Sequence, residues 1–293
     1  PLSTLMTNDS VFRSYISDDF KQALPWPAPK LAKSIWDNFS LKGKVAVVTG
    51  GARGIGFAVA ECYAQAGAEV AIIDYQIELA TESAKRLSAE NGVKSAAYFV
   101  DVSSNEAVEE CVNLIEKDFG TVDVFVANAG IIWVDGAILN EEKNADGPDK
   151  WRRLMDVDLN AVYYCAKAVG RIFKEKQRGS FIITASMSGH IVNVPNYQTA
   201  YNVAKAGCIH MGKSLAVEWA GFARVNTVSP GYIDSGLSDV LPTEVRAKWW
   251  SLIPMGREGL PQELVGAYLY LASDASTYTT GSDIRVDGGY CSV

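Results

Sequence analysis

Seven short runs rich in β-branched and other apolar residues recur from Lys42 onward: "KVAVVTG", "AEVAIIDY", "SAAYFVDV", "VDVFVANAG", "GSFIITAS", "ARVNTVSPG" and "DIRVDGG". Most have apolar centres without polar alternation, as strands do when both faces of a parallel sheet are covered. Between them lie amphipathic stretches at helical spacing, such as Gly56 to Gln65, Ile77 to Asn91 and Glu106 to Phe119. The alternation predicts a doubly wound α/β fold, whose ligands bind beyond the carboxyl ends of the strands near the topological switch point. Residues 1–40 carry neither period. The proline-rich "LPWPAPK" there reads as part of an N-terminal arm, and Trp26 and Trp36 suggest that it packs on the body or on a neighbouring subunit.

Composition narrows the function. The 293 residues, 48% hydrophobic and 21% charged, fit a globular chain with a sizeable core. A formal net charge of -7 argues against a nucleic-acid or anionic-membrane partner bound through a basic surface, which favours small-molecule chemistry. Every apolar run is interrupted well before the roughly eighteen residues of a membrane span. The first twenty residues contain three acids and no apolar core, so neither a secretory signal nor a transit peptide is expected, and the expected address is cytoplasmic. Five scattered cysteines without a CxxC pair read as reduced thiols. The two histidines, His190 and His210, make no metal cluster, so no metal site is expected.

The first strand runs into "TGGARGIG", Thr49 to Gly56, and then into a helix. A glycine-rich turn at that place lets backbone amides reach a pyrophosphate while the helix start offers partial positive charge. Gly50, Arg53, Gly54, Ile55 and Gly56 are therefore candidate dinucleotide contacts. The second strand ends at Asp74, near the spacing expected of an acid that accepts the adenosine ribose hydroxyls. A carboxylate there repels a 2′-phosphate, so NAD(H) is expected over NADP(H), with Arg53 as the one residue arguing the other way. Asp101 and Val102 end the third strand as adenine neighbours. Asn128, Ala129 and Gly130 end the fourth, where small residues let the backbone lie against the cofactor.

Two segments fit Tyr-x-x-x-Lys: "YYCAK", Tyr163 to Lys167, and "YNVAK", Tyr201 to Lys205. Residues four apart share a helix face, so either could pair a phenol with an ammonium. The first lies mid-helix with no strand end just before it and reads as a packing face. The second follows a strand ending near Ser186, which supplies a hydroxyl opposite the phenol and ammonium.

With these residues in place the chain resembles the short-chain dehydrogenase/reductase family over residues 41–293: "TGGARGIG", "NAG", "DLN" at Asp158 to Asn160, Ser186, "YNVAK", "SPGYI" and the terminal "VDGGY" occur in that family's order. The resemblance implies one Rossmann-like doubly wound domain with a parallel, seven-stranded sheet behind the arm of residues 1–40. It also implies a catalytic tetrad of Asn160, Ser186, Tyr201 and Lys205, with Tyr201 and Lys205 also touching the cofactor. Pro230, Gly231, Ile233 and Ser235 would lie beside the nicotinamide. Two positions depart from the pattern: Ala127 stands where many members have Asn, and Ser235 where Thr is common.

The residue types suit the implied chemistry. A free tyrosine titrates near pH 10, so the Lys205 ammonium and an oxidised nicotinamide are expected to bring the Tyr201 phenol toward working pH. Ser186 can steady the substrate oxygen as charge develops, and Asn160 can hold a water linking Lys205 to solvent. Longer stretches, including "VDVFVANAGIIW", "DLNAVYYCAK" and "AKWWSLIPMGREG", resemble fungal polyol dehydrogenases and ketose or carbonyl reductases. They imply interconversion of a pentitol or hexitol and its ketose, with arabinitol dehydrogenase or xylulose reductase activity the most specific expectation. Trp133, His190, Asn193, Gln198 and Asp234 are candidate substrate contacts, and Trp249 and Trp250 candidate pocket walls. An apolar pocket would instead favour a reductase of bulky ketones, and a broken tetrad a non-catalytic redox sensor. Family members are commonly homotetramers, so that assembly is expected.

Overall fold

Strand by strand, the apolar runs feed two separate cores. In the computed structural model, which describes residues 29–140, 147–236 and 243–293, Val47 of β1 (Val45–Thr49) and Ala71 and Ile73 of β2 (Glu69–Asp74) join one core. Their neighbours Ala46, Val48, Val70 and Ile72 join the other. Successive side chains of a strand point to opposite faces, and both faces here are covered, which explains the absence of polar alternation.

The remaining strands are β3 (Ser95–Phe99), β4 (Val124–Ala127), β5 (Ser180–Thr184), β6 (Arg224–Pro230) and β7 (Asp283–Val286). All pair in parallel in the order β3-β2-β1-β4-β5-β6-β7. The chain therefore reverses its direction of winding between β1 and β4, where Val48 pairs with Ile72 on one side and Val126 on the other. This is one Rossmann-like domain, and each predicted strand is present.

The helices are α1 (Ile35–Phe39), α2 (Gly54–Gln65), α3 (Ile77–Asn91), α4 (Asn105–Phe119), α5 (Gly147–Met155), α6 (Ala161–Lys176), α7 (Thr199–Glu218), α8 (Thr243–Trp250) and α9 (Pro261–Ala272). One layer packs α2 and α9 with α3 on the sheet; the other packs α4, α6 and α7. In the second layer Phe125 stacks on Phe181, ring centroids 5.8 Å apart, and Trp219 packs on Phe173, Phe181 and Phe222. At the amino end of the sheet the buried Asp123 carboxylate accepts from the Val45 amide at 2.9 Å, Lys176 at 2.7 Å and Arg178 at 3.0 Å. Burial pushes its pKa up, but those partners outweigh burial and hold it below the usual carboxylate range.

The described end of the arm is anchored by Leu41, whose amide donates to the Ala66 carbonyl at 2.9 Å. Trp36 does not pack on the body: it is 80% exposed. Trp26 lies outside the described residues. No helix among them is long and apolar enough to cross a membrane.

Candidate active site

A cavity of about 570 Å³ opens at the carboxyl ends of the strands beside the β1–β4 switch point. Its floor is cross-braced. Thr49 Oγ1 accepts from the amides of Asn128 (2.9 Å) and Ala129 (3.0 Å), and Asn128 Nδ2 donates to the Thr49 carbonyl at 3.0 Å. Thr184 Oγ1 bonds Asn128 Oδ1 at 3.1 Å and the Tyr268 hydroxyl at 2.8 Å.

The glycine-rich loop lies close over this floor. Gly50 has φ +64°, and a Cβ there would stand 3.0 Å from the Ala129 backbone. A Cβ on Gly56 would meet the Gly50 carbonyl oxygen at 2.1 Å. The expected loop residues Gly50, Arg53, Gly54, Ile55 and Gly56 all line the cavity. The first amides of a helix have no partner within it, so the start of α2 suits an anionic pyrophosphate, and the chain's residues fit a dinucleotide.

Of the other expected cofactor residues, Asp74, Asp101, Val102, Asn128, Ala129, Gly130, Pro230 and Ser235 also line the cavity. Gly231 and Ile233 do not: the Gly231 amide donates to Val286, and Ile233 bridges to Gly259. Arg153 of α5 was not foreseen. It lines the cavity beside Asp101 and Ser103, and its distance of about fifty residues from both leaves no local pattern to signal it.

Tyr201 and Lys205 occupy the first turns of α7 and face one way, with Nζ 5.4 Å from the tyrosine ring centre. Ser186, just past β5, caps the short turn Met187–Gly189 by accepting from the Ser188 amide. Burial raises the Tyr201 pKa, Lys205 lowers it, Asp158 raises it and Ser186 lowers it; the net shift is upward. The expected pull of Lys205 is thus present but outweighed. Burial alone would depress Lys205, yet the Asp158 carboxylate at 3.1 Å keeps it an ammonium with a raised pKa. Nζ also donates to the Thr184 carbonyl at 3.3 Å.

The structure sets the fourth member of the expected tetrad apart from Lys205. Asn160 closes a π-helical turn, Asp156–Asn160, and its amide donates to Asp156 Oδ1 at 2.8 Å. The side chain that reaches Lys205 is Asp158, two residues earlier and fully buried. Asp158 stands between Asp156 and Asn160 just before α6, so no local pattern singles it out.

The other Tyr-x-x-x-Lys copy lies on the outer face of α6. Tyr163 is 54% exposed and Lys167 stands 4.0 Å from Glu109 on α4, while Val162, Cys165, Ala166 and Val169 face the core.

None of the four principal substrate candidates lines this cavity. Trp133 is buried against Leu154, Ala200 and Ala204, and its Nε1 donates to Gly136. His190 Nε2 meets Asp283 at 2.9 Å and Ser229 at 3.3 Å. Asn193 is buried and accepts from Gln198 Nε2, which also donates to Ser188. His190 thus ties its loop to β6 and β7, Trp133 packs against α5 and α7, and Gln198 bridges Asn193 and Ser188. Asp234 pairs with Arg246, and Trp249 stacks on Tyr232 with centroids 4.4 Å apart. The cavity wall after β4 is formed by Ile131, Ile132 and Val134.

A switch-point cavity under a glycine-rich strand–helix turn marks a dinucleotide-binding class of oxidoreductase. Residues 50–291 match the family model described as enoyl-(acyl carrier protein) reductase, and the chain belongs to the short-chain dehydrogenase/reductase family. It is 58% identical over 268 residues to a probable NADP-dependent mannitol dehydrogenase of Yarrowia lipolytica, covering 92% of this chain and 95% of the relative. It is likewise 58% identical to a sorbose reductase of Candida albicans, covering 91% and 94%. Among solved structures, the NADPH-dependent 3-quinuclidinone reductase of Rhodotorula rubra superposes with a TM-score of 0.87 at 44% identity, covering 93% of this chain and all of that one.

These relatives overturn the expectation of NAD(H). The Yarrowia and Rhodotorula proteins are named for NADP and NADPH, whereas the expectation rested on Asp74. The physical reason lies in that carboxylate's own bonds. Oδ2 accepts from the Ala52 amide at 3.0 Å and Oδ1 from Gln76 at 2.9 Å. Asp74 therefore braces the glycine-rich loop, with the exposed Arg53 beside it in the same cavity.

Proposed function

We propose that this protein is an NADP(H)-dependent polyol dehydrogenase and ketose reductase, which interconverts a secondary alcohol of a hexitol or pentitol with its 2-ketose. The observation that carries the reading is that Tyr201 and Lys205 face one way into the cavity beside the glycine-rich loop, with Ser186 one residue past Ala185 of the same wall. Similarity to mannitol dehydrogenase and sorbose reductase supports the substrate class.

The bound nicotinamide supplies or accepts the hydride. In reduction, the Tyr201 phenol gives its proton to the carbonyl oxygen as the C=O π bond breaks and hydride adds to carbon. In oxidation the phenolate takes that proton back. Ser186 donates to the same oxygen and stabilises developing charge. Lys205 steadies the phenolate. The amides at the start of α2 would hold the pyrophosphate, and Arg53 would offer a 2′-phosphate a charge-assisted pair. In this reading residues 1–40 are an arm, residues 41–293 are the catalytic domain, and four copies assemble in the cytoplasm.

A second reading, a stereoselective reductase of bulkier ketones, is favoured by the apolar wall of Ile132 and Val134 and by the likeness to the quinuclidinone reductase. A non-catalytic redox sensor does not account for an assembled Ser-Tyr-Lys cluster. Mannitol, sorbitol, arabinitol and xylitol, the corresponding ketoses and a set of bicyclic and aryl ketones, each assayed with NADPH or NADP⁺ and with NADH or NAD⁺, decide between these readings. Turnover of a polyol–ketose pair is expected. Turnover confined to the bulky ketones supports the second reading, and none with any substrate overturns both.

A further inference from the structure

Asp158 is a fully buried acid in the π-helical turn Asp156–Asn160, and the reaction sequence above does not use it. Its Oδ1 accepts from the Ile131 amide at 2.8 Å, which fixes the carboxylate between the end of β4 and the π-helical turn. Among the described residues its Oδ2 has no hydrogen-bond partner other than the Lys205 ammonium, 3.1 Å away, and the pair borders the cavity that receives the reacting groups. Lys205 and Asp158 are thus an ammonium and a carboxyl, both almost wholly buried, against one phenol; burial pushes the Asp158 carboxyl above its ordinary value, and Lys205 and the Ile131 amide pull it back toward the carboxylate.

Building on the reaction assigned above, we propose that Asp158 is a positioning residue that offsets the charge of Lys205 and so keeps the Tyr201 phenol protonated to higher pH than the Tyr-Lys pair alone would. An ammonium beside a phenol favours the phenolate; a carboxylate held against that ammonium cancels part of its field. The other ionisable groups near the pair do not duplicate this role. Cys208, on the same helix, is pushed up by burial to about 11. Tyr268 of α9, bonded to Thr184, is also pushed up by burial and faces Asp283 of β7. Both are neutral in the working range. The Tyr201 pKa is raised despite Lys205, with burial the largest cause and Asp158 contributing.

The consequence is a pH window. Reduction needs the phenol and oxidation the phenolate, so both profiles turn at the same group, and raising its pKa extends reduction through neutrality and moves efficient oxidation to alkaline pH. Because both directions share that group, the two inflections must move together.

The test uses the full chain and the polyol–ketose pair identified above, with kcat/KM measured against pH in both directions for wild type, Asp158→Asn and Asp158→Ser. Asn keeps the volume and the acceptor for the Ile131 amide; Ser keeps neither and guards against misplacement of the amide. The inflection in both directions is expected to fall by about one to three pH units. An unmoved or raised inflection overturns the proposal, as does a loss of activity uniform in pH or failure of both variants to fold, since these mark a structural role. Tyr201→Phe is run in parallel. If it keeps turnover, the assigned reaction itself fails, an outcome distinct from an Asp158→Asn profile that does not shift.

Discussion

Tyr201 and Tyr163 carry the same local pattern and lead to opposite expectations. Tyr201→Phe removes the only proton the phenol can give and should lower kcat by roughly 10²–10⁴-fold or more, with NADPH affinity, read by fluorescence titration, unchanged. Tyr163→Phe should leave kcat within twofold of wild type, because its ring lies on the outer face of α6. Arg53→Ala should raise the KM for NADPH by about tenfold, as loss of one charge-assisted contact implies, while barely changing the KM for NADH; equal effects on both would remove Arg53 from the 2′-phosphate. The placement of Ser186 past a strand and of Tyr201 and Lys205 at a helix start was legible because a strand end followed by a helix start is visible in the sequence. Asp158 was not. Two polar residues two apart on a helical path point to nearly opposite sides, and nothing local says which one turns inward. Asp74 was seen at the right place but misread, because its backbone partners Ala52 and Gln76 are fixed by the fold of the loop.

At the scale of elements, the seven strands were readable because burial on both faces leaves an unbroken apolar signal. Side chains in the connections were not, since polarity there serves bonds that only the folded loop defines. Trp133 and Gln198 look like ligand contacts in the sequence and are struts in the structure. The second core rests on Phe125 and Phe181. Phe125→Ala should cost about 3–5 kcal/mol and lower Tm by roughly 5–8 °C, measured by calorimetry. Asp123 ties β1 to the end of α6 through Val45, Lys176 and Arg178. Its folded pKa lies below its unfolded value, so its stabilisation is complete above the unfolded pKa, near 4, and is lost as pH falls through the folded one. Asp123→Asn should therefore lower Tm at pH 7, with the gap from wild type closing in strong acid. A gap that persists there would mean that the carboxylate's charge is not what stabilises the junction.

Across the whole molecule, the switch point between β1 and β4 decides where a cleft can form, and the hydroxyls of Thr49 and Thr184 decide how firmly its floor is held. Thr49 Oγ1 accepts two amides, and the chain of bonds continues through Asn128 and Thr184 to the Tyr268 hydroxyl on α9. These contacts span three strands and a covering helix, so the floor opens only when the sheet itself comes apart. Local opening elsewhere in a protein costs far less than global unfolding. The backbone protons of Asn128 and Ala129 sit at a strand end beside the cleft, where rapid exchange with solvent would ordinarily be expected. Instead they should be among the slowest to take up deuterium. Thr49→Val, nearly the same size but without the oxygen, should release both within the lifetime of an otherwise folded molecule, and the cofactor would then dock on a surface that breathes.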